Sequence, residues 1–99
     1  MAKVELTKLT EDEITHSLAA LPGWSLDHGK ISHTFTFSTY LEGLVFATVV
    51  GSEAQRMNHH PDILISYGKV KVSVNTHDVG GISKLDFDLA HRISAVSSK

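Results

Sequence analysis

The chain has no cysteine, two prolines, one tryptophan and little charge of either sign. The missing cysteine excludes disulfides and thiolate metal sites. The most apolar run, Leu44 to Val50, is far shorter than the roughly 20 residues a membrane-spanning helix needs. The net charge is −2 and no basic stripe is present, which argues against a direct nucleic-acid partner. Met1 to Leu6 lacks the apolar core of a secretion signal. These absences lead to the expectation of a soluble, cytoplasmic protein without membrane contact.

What is present suits a folded globule. Of the 99 residues, 41% are apolar and 20% charged, the balance of an ordered domain rather than a disordered chain. The length predicts a single domain over residues 1–99. A domain of this size buries roughly two-thirds of its unfolded surface, so its stability is marginal unless it oligomerises.

In chain order, Thr10-Glu11-Asp12-Glu13 reads as a capping box that opens a helix from about Glu11 to Ala20, and Pro22-Gly23 ends it. Trp24 to Phe37 alternates around a turn at Gly29-Lys30 and reads as a β-hairpin. His33 falls on its apolar face and is expected to be half-buried with a local partner. Thr39 and Glu42 open a long helix over 39–57. Asp62 to Ser66 and Val70 to His77 read as a second hairpin turning at Tyr67-Gly68-Lys69. Gly80-Gly81 is a tight loop, and Ser83 with Asp86 resembles a third helix cap. The last helix runs to about Val96, and the Ser97-Ser98-Lys99 tail is expected to fray. The order α-β-β-α-β-β-α predicts an α+β fold with one four-stranded antiparallel sheet and helices packed on one face.

Placed at 100° steps, the long helix is apolar on two sides. Leu41, Leu44, Val45 and Val49 form one arc, and Phe46, Ala47, Val50, Ala54 and Met57 another. One arc suits the sheet of the same chain. The other predicts a second subunit, in a homodimer or homotetramer formed through the 39–57 helix and a sheet edge.

The chemistry concentrates in Gln55-Arg56-Met57-Asn58-His59-His60-Pro61 and in His77. Imidazole is the side chain best suited to proton transfer near neutrality. Pro61 disfavours a helical conformation at His60, so the long helix is expected to end near His59. Carbonyls at that helix end favour a protonated imidazole. A short return of chain would bring His59, His60 and His77 to one place. The spacing is poor for zinc: adjacent histidines do not face one way on a helix, and no metal is expected.

The pattern Gln55-x-x-x-His59-His60-Pro61, Tyr67, Thr76-His77 and Asp86 resembles the signature of the pterin-4a-carbinolamine dehydratases. Leu21-Pro22-Gly23-Trp24, Phe35 to Phe37, Val70 to His77, Gly81-Ile82-Ser83 and Leu89-Ala90 are similar to that family as well. The resemblance implies dehydration of 4a-hydroxytetrahydrobiopterin, or a related pterin, to the quinonoid dihydropterin, which recycles the cofactor of aromatic amino acid hydroxylases. It implies His59, His60 and His77 as the proton-transfer groups. Asn58, Gln55, Thr76, Asp86 and Trp24 become candidates for binding or orienting, although Trp24 reads first as core and Asp86 first as a helix cap. It further implies dimers or tetramers and no metal or organic cofactor. Gln55 and Asn58 depart from the family pattern, where many members carry glutamate and aspartate. That loss of carboxylates keeps open an alternative, a non-catalytic pterin-binding or assembly module on the same fold.

Overall fold

Thr10 and Thr39 start two helices by the same device. Each threonine hydroxyl accepts the backbone N–H of the residue three positions on, Glu13 or Glu42, and that glutamate accepts the threonine N–H in return. A cap of this kind stabilises a helix by about 1 kcal/mol. The computed structural model describes residues 6–97. It contains α1 at Glu11–Leu18, β1 at Ser25–Asp27, β2 at Lys30–Thr36, α2 at Tyr40–Met57, β3 at Asp62–Ser66, β4 at Lys69–Val74 and α3 at Lys84–Ser97. A 3₁₀ turn spans His77–Val79. The α-β-β-α-β-β-α order expected from the sequence is the one observed. Ser97 still belongs to α3; the rest of the tail and the extreme N-terminal segment lie outside the described residues.

The sheet order is β1-β2-β4-β3, with every neighbouring pair antiparallel. Ile31, His33 and Phe35 of β2 lie opposite Val74, Val72 and Val70 of β4. Those positions share the face on which the helices pack. Phe46, Ala47, Val50 and Ala54 of α2 and Leu89, Ala90 and Ile93 of α3 complete the core. Each fully buried aliphatic side chain contributes about 1.5–3 kcal/mol. The opposite face carries mostly polar side chains, with Leu64 exposed among them. Ser32 Oγ donates to Ser73 Oγ at 2.9 Å, Lys71 pairs with Asp27 at 2.8 Å, and Lys30 pairs with Asp62. Among the described residues no helix is long and apolar enough to cross a membrane.

Three local expectations are corrected. The first hairpin turns at His28-Gly29, one residue before Gly29-Lys30, because Asp27 pairs with Lys30. Both loop residues have positive φ, 52° and 78°, the two-residue turn whose twist matches the strands it joins. The long helix ends at Met57, as the 39–57 extent predicted, but His59 lies beyond its last turn instead of closing it. Asn58 adopts the left-handed conformation (φ 50°, ψ 43°). Its N–H then bonds the carbonyl of Gln55, and the His59 N–H bonds that of Ala54. This Schellman closure satisfies the last carbonyls before Pro61 is reached. His77 does not prolong β4. The strand ends at Val74, Thr76 makes an isolated bridge with Gly81, and His77 opens the 3₁₀ turn.

Candidate active site

The end of α2 and the start of α3 meet at one buried carboxylate. Asp86, in the first turn of α3, is fully buried. Its Oδ2 accepts the Ser83 N–H and the Thr76 hydroxyl, each at 2.8 Å. Its Oδ1 lies 2.6 Å from Nε2 of His59. The Ser83 hydroxyl accepts the Leu85 N–H at 3.2 Å and lies 2.7 Å from the Thr76 hydroxyl. Asp86 is therefore the helix cap that the sequence suggested, and also the partner of a histidine. The negative group sits at a helix N-terminus and the imidazole just past a helix C-terminus, the two ends whose partial charges suit them.

His59 is mostly buried, with 11% of its side chain exposed. His60, next along the chain, is exposed, and its Nε2 lies 3.4 Å from Oε1 of Gln55. His77 is exposed at the start of the 3₁₀ turn. The three histidines line one cleft of about 340 Å³, at the lower end of the range for small-molecule sites. Asn58 and Thr76 line it too, as do Leu6, Asn75, Asp78 and Leu85. Thus two chain segments, 58–60 and 75–78, supply titratable groups to one open hollow with apolar side chains at its edge. Among the described residues no set of three or more His, Asp or Glu side chains is placed to hold a metal ion.

Other candidates fall elsewhere. Trp24 is buried in the core, where its Nε1–H donates to Ser94 Oγ at 2.8 Å and its ring meets His33 and Phe35 edge-on. It does not line the cleft. Gln55 reaches the cleft only through His60. Among the described residues Asn58 forms no side-chain hydrogen bond to a histidine; its fixed property is the left-handed backbone. Sequence reasoning missed Asn75, Asp78 and Leu85 as lining residues and Ser83 as part of the buried network. Ser83 was visible only as a cap, because its contact with Thr76 depends on how the 76–83 loop closes. His33 is half-buried as expected; its ring stacks 3.9 Å from that of Phe35, and among the described residues no hydrogen bond reaches its buried Nδ1.

The family model for pterin 4 alpha carbinolamine dehydratase matches residues 7–96. A protein of Sulfurisphaera tokodaii is 47% identical over 88 residues, covering 89% of this chain and 95% of its own. A protein of Nostoc punctiforme is 40% identical with the same coverage. Both carry the name "Putative pterin-4-alpha-carbinolamine dehydratase". The crystal structure of a transcriptional coactivator/pterin dehydratase from Brucella melitensis is similar at a TM-score of 0.85 and 30% identity, over 91% of this chain and 98% of that one. A pterin dehydratase-like protein described as a RuBisCO assembly factor in the alpha-carboxysome has a TM-score of 0.61 at 16% identity, over 77% of this chain and 88% of that one; this likeness is one of fold alone. With a family match along nearly its whole length, and relatives of its own size, the chain belongs to the pterin-4a-carbinolamine dehydratase family.

Proposed function

We propose that the protein dehydrates 4a-hydroxytetrahydrobiopterin, or a related 4a-hydroxytetrahydropterin, to the quinonoid dihydropterin and water. The observation that carries this reading is the convergence of His59, His60 and His77 on one cleft. The reaction breaks the C4a–O bond and removes the proton on N5. Hydroxide is a poor leaving group, so the oxygen must take a proton as it departs. The electrons of the N5–H bond then form the C4a–N5 double bond. One acid and one base on opposite sides of that bond suffice. His59 suits the base, since Asp86 stabilises the cation it becomes. His60 or His77, at the open rim, supplies the proton to the hydroxyl. Gln55 orients His60 without adding charge. Asn58 and Asn75 offer amides to the pyrimidine edge, and Leu6 and Leu85 cover part of the ring. No metal or organic cofactor takes part. The protein works in the cytoplasm as a homodimer or homotetramer, and its product returns to the aromatic amino acid hydroxylases.

Stopped-flow dehydration of enzymatically generated carbinolamine tests the reading. The wild type accelerates the loss of carbinolamine over background, and whichever of His60→Ala and His77→Ala removes the acid lowers the rate by about 10²-fold or more, the usual cost of a lost acid–base group. A full-rate His60→Ala protein removes that residue from the mechanism. Tight pterin binding with no rate above background would instead establish the non-catalytic binding or assembly module.

A further inference from the structure

The buried hydroxyls behind the cleft have an order that the hydrogen-bond arithmetic fixes. Thr76 Oγ1 donates its one hydrogen to Asp86 Oδ2. It therefore has no hydrogen left for Ser83, and at 2.7 Å from Ser83 Oγ it must accept instead. Ser83 donates to Thr76 while its own oxygen takes the Leu85 N–H. The chain runs one way: Leu85 N–H to Ser83, Ser83 O–H to Thr76, Thr76 O–H to Asp86. The Ser83 N–H adds a second donor to the same carboxylate oxygen. With two donors aimed at it, Oδ2 serves only as an acceptor. The other oxygen of Asp86 then takes a hydrogen from His59 at 2.6 Å.

We infer that Ser83 and Thr76 are positioning residues that fix the tautomer of His59. They hold Asp86 as an acceptor, so His59 carries its hydrogen on Nε2 and keeps Nδ1 as a free lone pair. Among the described residues the buried side-chain polar atom without a partner is His33 Nδ1. Among the described residues the hydrogen bond of the His59 ring runs through Nε2, which leaves Nδ1 for the cleft that the residue lines. The base of the reaction is then Nδ1 of His59. Rotating the carboxylate would let the other tautomer form and would turn a hydrogen, not a lone pair, toward the substrate. This inference rests on the dehydratase reading for its consequence, but the tautomer itself is a property of the free protein.

Two measurements separate the two. The first is ¹⁵N NMR of the imidazole side chains of the full chain at pH 8, without substrate. The wild type shows His59 as the Nε2–H tautomer. Thr76→Val, which keeps the shape and removes the donor, shifts His59 toward a mixture of tautomers, and Thr76→Ser restores it. Ser83→Ala gives a smaller shift in the same direction. His60, His77 and Asp78 share the cleft, so the His60 and His77 signals serve as controls and stay in place. Ser32→Ala removes a hydroxyl pair on the far face of the sheet and leaves His59 unchanged. The second measurement is the dehydration rate. Thr76→Val lowers kcat by about tenfold with little change in KM, less than the loss of an imidazole, because the disfavoured tautomer is admitted rather than imposed. If Thr76→Val fails to fold, Ser83→Ala carries the test alone. A His59 that is Nδ1–H in the wild type, or one whose tautomer ignores both substitutions, overturns the inference even in an active enzyme. An inactive protein with the stated tautomers leaves the inference standing and removes the dehydratase reading.

Discussion

His33 lies flat against Phe35, with Trp24 edge-on to it and Gly23 so close that an added Cβ would come 2.2 Å from its Nε2. Burial holds this imidazole below the usual histidine range. The neutral form is thus favoured in the folded state, and the unfolded chain takes the proton first as pH falls. The contribution to stability is complete above the ordinary histidine pKa of about 6.5 and is lost as acidity increases below it. Urea unfolding between pH 8 and pH 5.5 checks this: the wild type loses stability relative to His33→Gln as pH falls. Parallel profiles for the two proteins would show that His33 does not titrate on unfolding. His59 shows the opposite arrangement of the same side chain, with a carboxylate in place of aromatic walls. The alternation Ile31, His33, Phe35 made the position of His33 legible in the sequence, since side-chain parity in a strand is local. Which ring or carboxylate each histidine would meet was not legible, because those partners come from other elements.

At the scale of elements, the capping boxes at Thr10 and Thr39 could be read off the sequence because a cap is completed within four residues. The two hairpins followed from alternation and the 39–57 span of α2 from its caps and periodicity, but the way α2 closes did not. Pro61 marked the region, but Asn58 closes the helix by adopting a left-handed backbone, three residues before the proline. That conformation costs most side chains roughly 1–2 kcal/mol and costs glycine little. Asn58→Ala should therefore lower the unfolding free energy by about 1 kcal/mol, whereas Asn58→Gly leaves it nearly unchanged in urea titrations. An alanine variant as stable as the wild type would remove the closure from the account of how His59 is aimed. The same pair reads the amide's other role: if the Asn58 side chain holds the pterin, both variants raise KM regardless of stability. The meeting of His59 with Asp86 was beyond sequence reasoning for a plain reason. The two lie 27 positions apart, and only the central pairing of β2 with β4, and the helices packed over it, bring the end of α2 to the start of α3.

For the whole molecule, α2 faces two ways. Phe46, Ala47, Val50 and Ala54 are buried against the sheet and α3, while Leu41, Val45 and Val49 are 67%, 57% and 37% exposed. The exposed three recur every four residues, so they form one stripe. With Phe37 and Val96 they border a groove of about 540 Å³, away from the histidine cleft. Tyr40, at the start of α2, is 47% exposed, and Leu64 on edge strand β3 is 62% exposed. A contiguous apolar stripe on so small a domain is the kind of surface that pairs with a partner, and a second copy of the chain set about a two-fold axis would cover it. The expected outcome is an oligomer at tens of micromolar in sedimentation equilibrium. Val45→Glu places an unpaired charge in that contact, where burial without a partner is costly; it should sediment as a single chain. Val45 is exposed within one chain, and glutamate is a good helix former, so the helix signal in circular dichroism should not change. A wild type that sediments as a monomer would leave this stripe without a partner copy. A Val45→Glu protein that stays associated would move the interface from α2 to the sheet edge, where β3 offers its free backbone groups.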